Sequence, residues 1–280
     1  MRSEISRRSL LALAAGAPVA RLAAQSRRIP VGLELYSVRD DLAKDVKGTV
    51  TAVAKMGYQV VEFYSPYYQW TTDYAKEIRK LMDDLGVRCN STHNDSRALT
   101  AEGLPKAIDL NLALGSKYVV MASAQANTAD GWKGVAGTLS AASEKLKPAG
   151  LRTGYHNHQT EFRATLDGKM PIEIIAANTP KDVMLQLDVG TCVEVGYDPA
   201  KWIEANPGRI HCLHLKEWGA GQGRGYECLF GEGDVKWASV FAAAEKSGGV
   251  EYYLIEQEAS RMPQLEAVRR CLENYRKGQA

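Results

Sequence analysis

Short apolar runs alternate with longer amphipathic segments along the chain from residue 29 onward. The short runs have the length of buried strands, and the longer segments repeat apolar residues at helical spacing, as Ile78, Leu81 and Met82 do. Eight strands are predicted, at 31–35, 59–63, 87–91, 118–121, 151–155, 183–187, 210–215 and 252–255. Eight helices are predicted, at 41–56, 72–85, 101–114, 130–149, 171–178, 199–206, 235–247 and 262–276.

Glycine marks the junction between several predicted helices and the strands that follow. Gly57, Gly86, Gly115 and Gly150 stand at such junctions, where glycine adopts the left-handed conformation that ends a helix. Eight β/α pairs in about 250 residues predict an α/β chain with a single (β/α)8 TIM barrel at 30–276. The alternative is a doubly wound open sheet, but its glycine-rich phosphate loop is missing after the first predicted strand.

Composition excludes several classes of protein. With 280 residues, 45% hydrophobic and 24% charged, the chain is neither disordered nor collagen-like. No apolar run reaches the ~18 residues of a membrane span. The net charge of +2 is unevenly placed, because residues 1–24 hold four arginines against one glutamate and leave −1 for the remainder. No basic patch is evident in that remainder, so we expect no nucleic-acid partner.

Residues 1–24 have the layout of a secretory signal peptide. A charged start precedes an apolar run at 10–15 and then small residues. The adjacent Arg7 and Arg8 indicate the twin-arginine type, with cleavage expected near Ala23 or Ala24. The alternative is an amphipathic first helix. Twin-arginine export carries folded proteins, so we expect a periplasmic or secreted protein whose metal can be loaded before export.

Polar side chains gather at the carboxyl ends of the predicted strands, where barrels of this type build their active sites. Four of the five histidines fall there, whereas His211 stands at the start of strand seven and is expected to pack structurally. Taken in strand order, the polar residues at these ends include Tyr36, Arg39, Glu62, His93, His156, His158, Glu161, Asp188, His214, Lys216 and Glu256.

A divalent cation site is predicted at this mouth of the barrel. His156, Asp188, His214 and Glu256 lie on four successive strands, so their side chains can meet at one point. A mixed set of imidazoles and carboxylates suits Mn²⁺, Zn²⁺, Fe²⁺ or Co²⁺ better than Ca²⁺. His158 lies two residues after His156 and is the alternative ligand, a neighbour of the ligands, or a proton donor to a leaving oxygen.

Several segments occur in an order that resembles a known superfamily. They are GLELYSVR at 32–39, GYQVVE at 57–62, YHNHQTEF at 155–162, LDVG at 187–190, DP at 198–199, HLK at 214–216, GEG at 231–233 and IEQ at 255–257. Across about 30–276, the chain resembles the xylose-isomerase-like TIM-barrel superfamily, which includes sugar phosphate isomerases/epimerases. The resemblance implies a metal-dependent enzyme that moves a proton next to a carbonyl group of a small carbohydrate.

The resemblance also implies particular ligands. Ketose epimerases of this superfamily hold a metal with Glu, Asp, His and Glu from strands five to eight, which implies Asp188, His214 and Glu256 here. The first position is His156 instead of glutamate, and this departs from the epimerases, whose strand-five and strand-eight glutamates form an acid/base pair. Thr191 stands where a further histidine is usual. The segment at 155–162 resembles an exported subgroup, some of whose members act on 3-keto sugars and glycosides, which implies isomerisation or elimination.

Further roles follow for the remaining candidates. Glu256 is expected to act as base as well as ligand, and Lys216 to neutralise developing oxyanion charge. Substrate contacts are expected from Tyr36, Arg39, Glu62, His93 and Glu161, although Arg39, Glu62 and His93 equally suit an ion-pair network across the barrel.

Two other functions stay open at this point. One is a metal-assisted hydrolase of a glycoside or phosphodiester, and the other is a non-catalytic sugar-binding barrel. The sequence has no marker of oligomeric state, and a homo-oligomer remains open.

Overall fold

The fold is a closed barrel of eight parallel strands that follow one another in chain order. A computed structural model describes residues 29–247 and 249–278, so the signal peptide predicted for 1–24 lies outside the described residues. The strands are β1 (Val31–Glu34), β2 (Val60–Phe63), β3 (Arg88–Asn94), β4 (Tyr118–Met121), β5 (Arg152–His156), β6 (Met184–Asp188), β7 (Cys212–Lys216) and β8 (Tyr252–Glu256). β8 pairs with β1 and closes the barrel, which confirms the predicted (β/α)8 fold.

Helices surround the barrel. The described residues form α1 (Arg39–Lys44), α2 (Val46–Met56), α3 (Thr72–Leu85), α4 (Leu104–Leu114), α5 (Ala129–Leu146), α6 (Gln159–Arg163), α7 (Pro171–Asn178), α8 (Val189–Glu194), α9 (Pro199–Ala205), α10 (Trp237–Ser247) and α11 (Gln264–Gly278). The helix predicted at 41–56 is divided because Asp45 is extended and its side chain caps α2 at Gly48. α6 and α8 were not predicted, since six residues or fewer are too short to show helical periodicity.

Four strands continue one residue further than predicted. β5, β6, β7 and β8 end at His156, Asp188, Lys216 and Glu256, which makes these polar residues part of the sheet. Lys216 and Glu256 face each other in register on neighbouring strands. β3 likewise runs on to Asn94 and includes His93. The rigid sheet therefore positions these side chains, which the prediction had placed at or beyond the strand ends.

The protein has two separate apolar cores. The larger core lies between the strands and the surrounding helices. All five cysteines are buried and none forms a disulfide. The smaller core fills the barrel interior with Val60, Tyr118, Val120, Met184, Cys212, Tyr252 and Leu254. Several of these precede a polar inward residue by two positions, as Cys212 precedes His214 and Leu254 precedes Glu256. An apolar plug, the seven residues of the smaller core, therefore lies beneath a polar mouth.

Within 29–247 and 249–278, every helix is too short or too polar to cross a bilayer.

The close contact between Gly32 on β1 and Val60 on β2 gives a test of this packing. A Cβ added at Gly32 would lie 2.4 Å from the carbonyl oxygen of Val60 on β2. We expect Gly32→Ala to lower the free energy of unfolding by about 1–3 kcal/mol, because the two strands would have to separate. Chemical denaturation measures the change.

Gly134→Ala is the matched control for this substitution. Gly134 lies on α5, and a Cβ there meets nothing within 4 Å. The control should keep or raise stability, by up to about 1 kcal/mol. If Gly32→Ala is as stable as the wild type, the tight pairing of β1 and β2 is wrong.

Candidate active site

A cavity of about 280 Å³ lies at the carboxyl ends of the strands. This volume is close to the lower limit of about 300 Å³ for small-molecule sites. The lining residues are Glu34, Tyr36, Tyr64, Ser65, His93, Asn94, Asp95, Ala122, Ser123, His156, His158, Lys216, Glu256 and Glu258. Most of these residues are polar, and seven of them carry a carboxylate or an imidazole within this small cavity.

His214 lies beneath the cavity between two carboxylates. Its Nδ1 is 2.7 Å from Glu256 Oε2, and its Nε2 is 2.9 Å from Glu62 Oε1. Both ring nitrogens can donate to carboxylates only when the imidazole is protonated. Burial alone would lower the pKa of His214, but Glu62 and Glu256 outweigh it and raise the pKa to about 9. His214 is therefore an imidazolium ion that joins β2, β7 and β8.

Glu62 is the centre of a second set of contacts. His93 Nε2 lies 3.0 Å from Glu62 Oε1 and 2.7 Å from Gln186 Oε1. The Gln186 amide in turn donates to Glu62 Oε2 at 2.8 Å. Burial would raise the pKa of Glu62, but the facing imidazoles of His93 and His214 lower it to about 2. Glu62 therefore remains ionised and binds both histidines.

Lys216 is a buried ammonium group surrounded by carboxylates. Its Nζ lies 2.8 Å from Asp188 Oδ2, 3.0 Å from Glu256 Oε1 and 3.1 Å from Glu258 Oε2. Burial would lower the pKa of Lys216, but these carboxylates raise it well above the usual range. Lys216 and His214 together outweigh the burial of Glu256 and hold its pKa well below normal. The network thus keeps Glu256 ionised and Lys216 charged.

His156 differs from His214 because one of its ring nitrogens has no hydrogen-bond partner among the described residues. Its Nδ1 is buried without a hydrogen-bond partner among the described residues, and its Nε2 lies 3.8 Å from Asp188 Oδ2. Burial lowers the pKa of His156 well below its usual range, with further effects from His214 and His93. A neutral imidazole with a free nitrogen is the form that binds metals.

Metal-ligating atoms converge around His156. Those of His156, Asp188 and Glu256 lie within 4.8 Å of one another, and His93, His156 and His214 form another such group. The mixed nitrogen and oxygen donors fit the predicted divalent cations. His156, not His158, belongs to these groups. The ring of His158 lies 5.0 Å from that of His156, edge to face, and borders the cavity.

Asp188 is held in place by hydrogen bonds to Thr191 and Asn157. Its Oδ1 accepts the backbone N–H of Thr191 at 3.1 Å, and its backbone N–H donates to Asn157 Oδ1 at 3.0 Å. Thr191 stands where the resemblance implies a further histidine. It lies in the first turn of α8, which Asp188 caps, and its hydroxyl accepts a hydrogen bond from the Asn157 amide at 3.0 Å. Only Oδ2 of Asp188 is left to face Lys216 and His156.

The predicted substrate contacts fall into three positions. Tyr36 lies at the rim, 37% exposed, with its ring edge-on to Tyr64 at 5.4 Å. Arg39 lies over the Tyr36 ring and donates to the Glu258 carbonyl at 3.2 Å, in a neighbouring cavity. Glu161 is buried, where it accepts from the Tyr155 hydroxyl and, at 3.0 Å, from the backbone N–H of His158.

His93, Glu62 and His211 are the remaining residues for which the sequence predicts a role. His93 borders the cavity, whereas Glu62 lies beneath it as the partner of the histidines. His211 lies at the opposite end of the barrel beside Gly249 and Glu251, as its predicted structural role requires.

Two site residues were not singled out from the sequence. Gln186 holds His93 and Glu62, and Glu34 borders the cavity beside Glu62. Both are polar residues inside otherwise apolar strands, in GLEL and MLQLD. Gln186 also stands two residues before Asp188, on the same face of β6. That inward spacing is the signal that would have found it.

Comparisons with known proteins agree with this fold. A family described as xylose isomerase-like TIM barrel matches residues 50–277. A sugar phosphate isomerase/epimerase from Parabacteroides distasonis ATCC 8503 is 27% identical, with a TM-score of 0.73 and coverage of 92% of this chain and 97% of that chain. No match is found among curated proteins.

Two more distant solved structures show the fold alone. An L-ribulose 3-epimerase is 17% identical, with a TM-score of 0.66 and coverage of 89% of this chain and 93% of its own. A probable 3-DHS dehydratase from Bacillus anthracis is 11% identical, with a TM-score of 0.71 and coverage of 88% and 98%. With the barrel, its mouth and the extent of the family match taken together, the chain belongs to the xylose isomerase-like TIM barrel family.

Proposed function

We propose that this protein is a metal-dependent isomerase/epimerase-like enzyme that removes a proton next to a carbonyl group of a small carbohydrate. The observation that carries the proposal is the buried convergence of His156, Asp188 and Glu256, with His214 in contact with Glu256, at a small polar cavity. A 3-keto sugar or 3-keto glycoside is the substrate class we favour, with isomerisation or elimination as the outcome.

Glu256 is the proposed base. It borders the cavity, and its ionised carboxylate is ready to accept a proton from carbon. Lys216 touches the same carboxylate and lies at the cavity wall, where its fixed positive charge favours negative charge developing on a substrate oxygen. His158 borders the cavity from the start of α6, just after β5, and is the proposed donor to a leaving oxygen in an elimination.

His156, Asp188, His214 and Glu256 are the proposed metal ligands. The unpartnered Nδ1 of His156 and the mixed donor set support them. When bound, Mn²⁺, Zn²⁺, Co²⁺ or Fe²⁺ polarises a carbonyl and its neighbouring hydroxyl oxygen. In the metal-free protein, Lys216 balances the charge of Asp188 and Glu256.

Tyr36 and Tyr64 offer an aromatic rim for a sugar ring. The sugar phosphate isomerase/epimerase from Parabacteroides distasonis and the L-ribulose 3-epimerase are consistent with a carbohydrate substrate. Export to the periplasm or outside the cell remains the proposal made from residues 1–24.

Replacing Glu256 tests the chemistry. We expect Glu256→Gln to lower turnover by about 10²–10⁴-fold, because an amide cannot accept the proton. Wild type and variant are incubated with sugars and 3-keto glycosides in D₂O, and deuterium at carbon is measured. Glu266→Gln, on the exposed side of α11, serves as control. Wild-type turnover by Glu256→Gln would exclude this base, and hydrolysis without deuterium in the wild type would favour a hydrolase.

Metal binding has its own test. Added Mn²⁺ or Zn²⁺ should raise the Tm of metal-stripped wild type, and His156→Gln should lose most of this rise because it removes a ligand nitrogen. His211→Gln is the control, since His211 lies at the other end of the barrel. A wild type that gains no thermal stability from either ion contradicts the metal site and favours a metal-free sugar-binding barrel.

The buried ammonium of Lys216 gives a prediction for the metal-free protein. Lys216→Met leaves Asp188 and Glu256 without their shared cation, so we expect a loss of about 3–5 kcal/mol in the free energy of unfolding with a chelator present. Lys246→Met removes an exposed lysine paired with Glu204 and should change stability by less than about 1 kcal/mol. Equal losses in the two variants would show that the buried network has no special role.

A further inference from the structure

Glu34 is the one buried carboxylate at the cavity whose second oxygen has no donor. It is the last residue of β1, and its Oε1 accepts the backbone N–H of Tyr36 at 3.3 Å. Its Oε2 is buried and receives a hydrogen bond from no donor among the described residues, and the carboxyl group of Glu34 is hydrogen-bonded to that of Glu62. An unpaired, charged oxygen in this position would be costly. Either a proton or a cation must therefore compensate it, since the metal-ligating atoms of Glu34, Glu62 and His93 also lie within 4.8 Å of one another.

The groups around Glu34 favour a proton. Glu34 is in register with Glu62 on β2, and Glu256 follows on β8, the other neighbouring strand. Glu62 is already paired with His93 and His214, and the described residues place no cationic side chain in an ion pair with Glu34. Burial raises the pKa of Glu34 well above its usual range, and the charges of Glu62 and Glu256 add to the effect. Glu34 is thus a neutral carboxylic acid beside an ionised one.

The proposed reaction can use such an acid in addition to the charge of Lys216. When a base removes a proton next to a carbonyl group, negative charge develops on the carbonyl oxygen, and a positioned acid lowers the barrier by protonating it. The two cations of the site are poorly suited to that step. Lys216 is shared among three carboxylates, and His214 lies beneath the cavity with both nitrogens occupied. Two carboxyl groups with opposite protonation states are a usual basis for an acid/base pair.

We propose that Glu34 is a further catalytic residue, the acid that protonates the carbonyl oxygen of the substrate while Glu256 takes the proton from the adjacent carbon. This inference rests on the function proposed above. Leu33 pairs with Ile255, so Glu34 and Glu256 follow on adjacent strands about 4.8 Å apart and can act on neighbouring substrate atoms.

The step balances without another reactant. The C–H bond breaks, its proton passes to Glu256, and its electron pair forms the carbon–carbon double bond. The carbonyl π electrons take the proton of Glu34, which leaves an enol, a protonated Glu256 and an ionised Glu34. The reverse transfer, to the same or the neighbouring carbon, restores both carboxyl groups.

Glu34→Gln is the test, because the amide keeps the volume and the contact with Tyr36 but has no acidic proton to transfer. We expect kcat to fall by about 10²–10⁴-fold while KM changes less than threefold. Glu34→Asp keeps an acid and should recover part of kcat. Glu245→Gln, exposed on α10, is the control and should match the wild type. Wild-type kcat in Glu34→Gln, together with deuterium incorporation by the wild type, overturns the role of Glu34 but leaves the proposed function standing.

A second measurement does not depend on turnover. Infrared spectroscopy of the metal-free wild type at neutral pH should show the carbonyl band of a protonated carboxylic acid, which shifts in D₂O and is missing in Glu34→Gln. An unchanged band in the variant overturns the assignment. So does the loss of a bound metal equivalent in Glu34→Gln, which would make Glu34 a ligand. A wild type that shows the band but no deuterium incorporation with any substrate overturns the proposed function and the catalytic role together.

Discussion

Two cations and three carboxylates share the interior of the barrel mouth, and neither set is stable there without the other. The ammonium of Lys216 and the imidazolium of His214 hold Glu62, Asp188 and Glu256 at hydrogen-bond distances. Burial of each ion separately would cost several kcal/mol, and the cost is recovered only when every partner is present. The network therefore fixes the charge of each group, and with it the division between groups that accept protons and groups that do not.

The same network separates two kinds of imidazole. His214 is charged because carboxylates face both of its nitrogens. His156 is neutral because burial lowers its pKa, and the neighbouring histidines lower it further. A neutral ring with an unused nitrogen suits a cation, and a charged ring between carboxylates suits a structural bridge. In the proposed loaded enzyme, one nitrogen of His214 would have to exchange its carboxylate contact for the metal, and the proton on that nitrogen would have to leave. Metal binding is thus expected to release protons.

Much of the fold and part of the site follow from the sequence. The strand and helix periods and the glycine stops predict the barrel, and the strand ends predict that His156, Asp188, His214 and Glu256 converge. The pairings among them depend on register across the closed sheet, which brings His214 of β7 to Glu62 of β2, and no local pattern encodes that contact. Glu34 was missed for the same reason: its neighbours in sequence are apolar, and only its neighbours in space make it an acid.

The apolar plug of seven side chains beneath the mouth has a kinetic consequence. Tyr118, Tyr252 and the other plug residues fill the barrel interior below the ion network. The cavity is therefore closed at its base and opens at the carboxyl ends of the strands. In the proposed reaction, substrate and product would use that same entrance in turn. Bound product would then exclude the next substrate, which gives competitive product inhibition. Bulk water would reach the reacting carbon only when the entrance is free, which would protect the proposed enol.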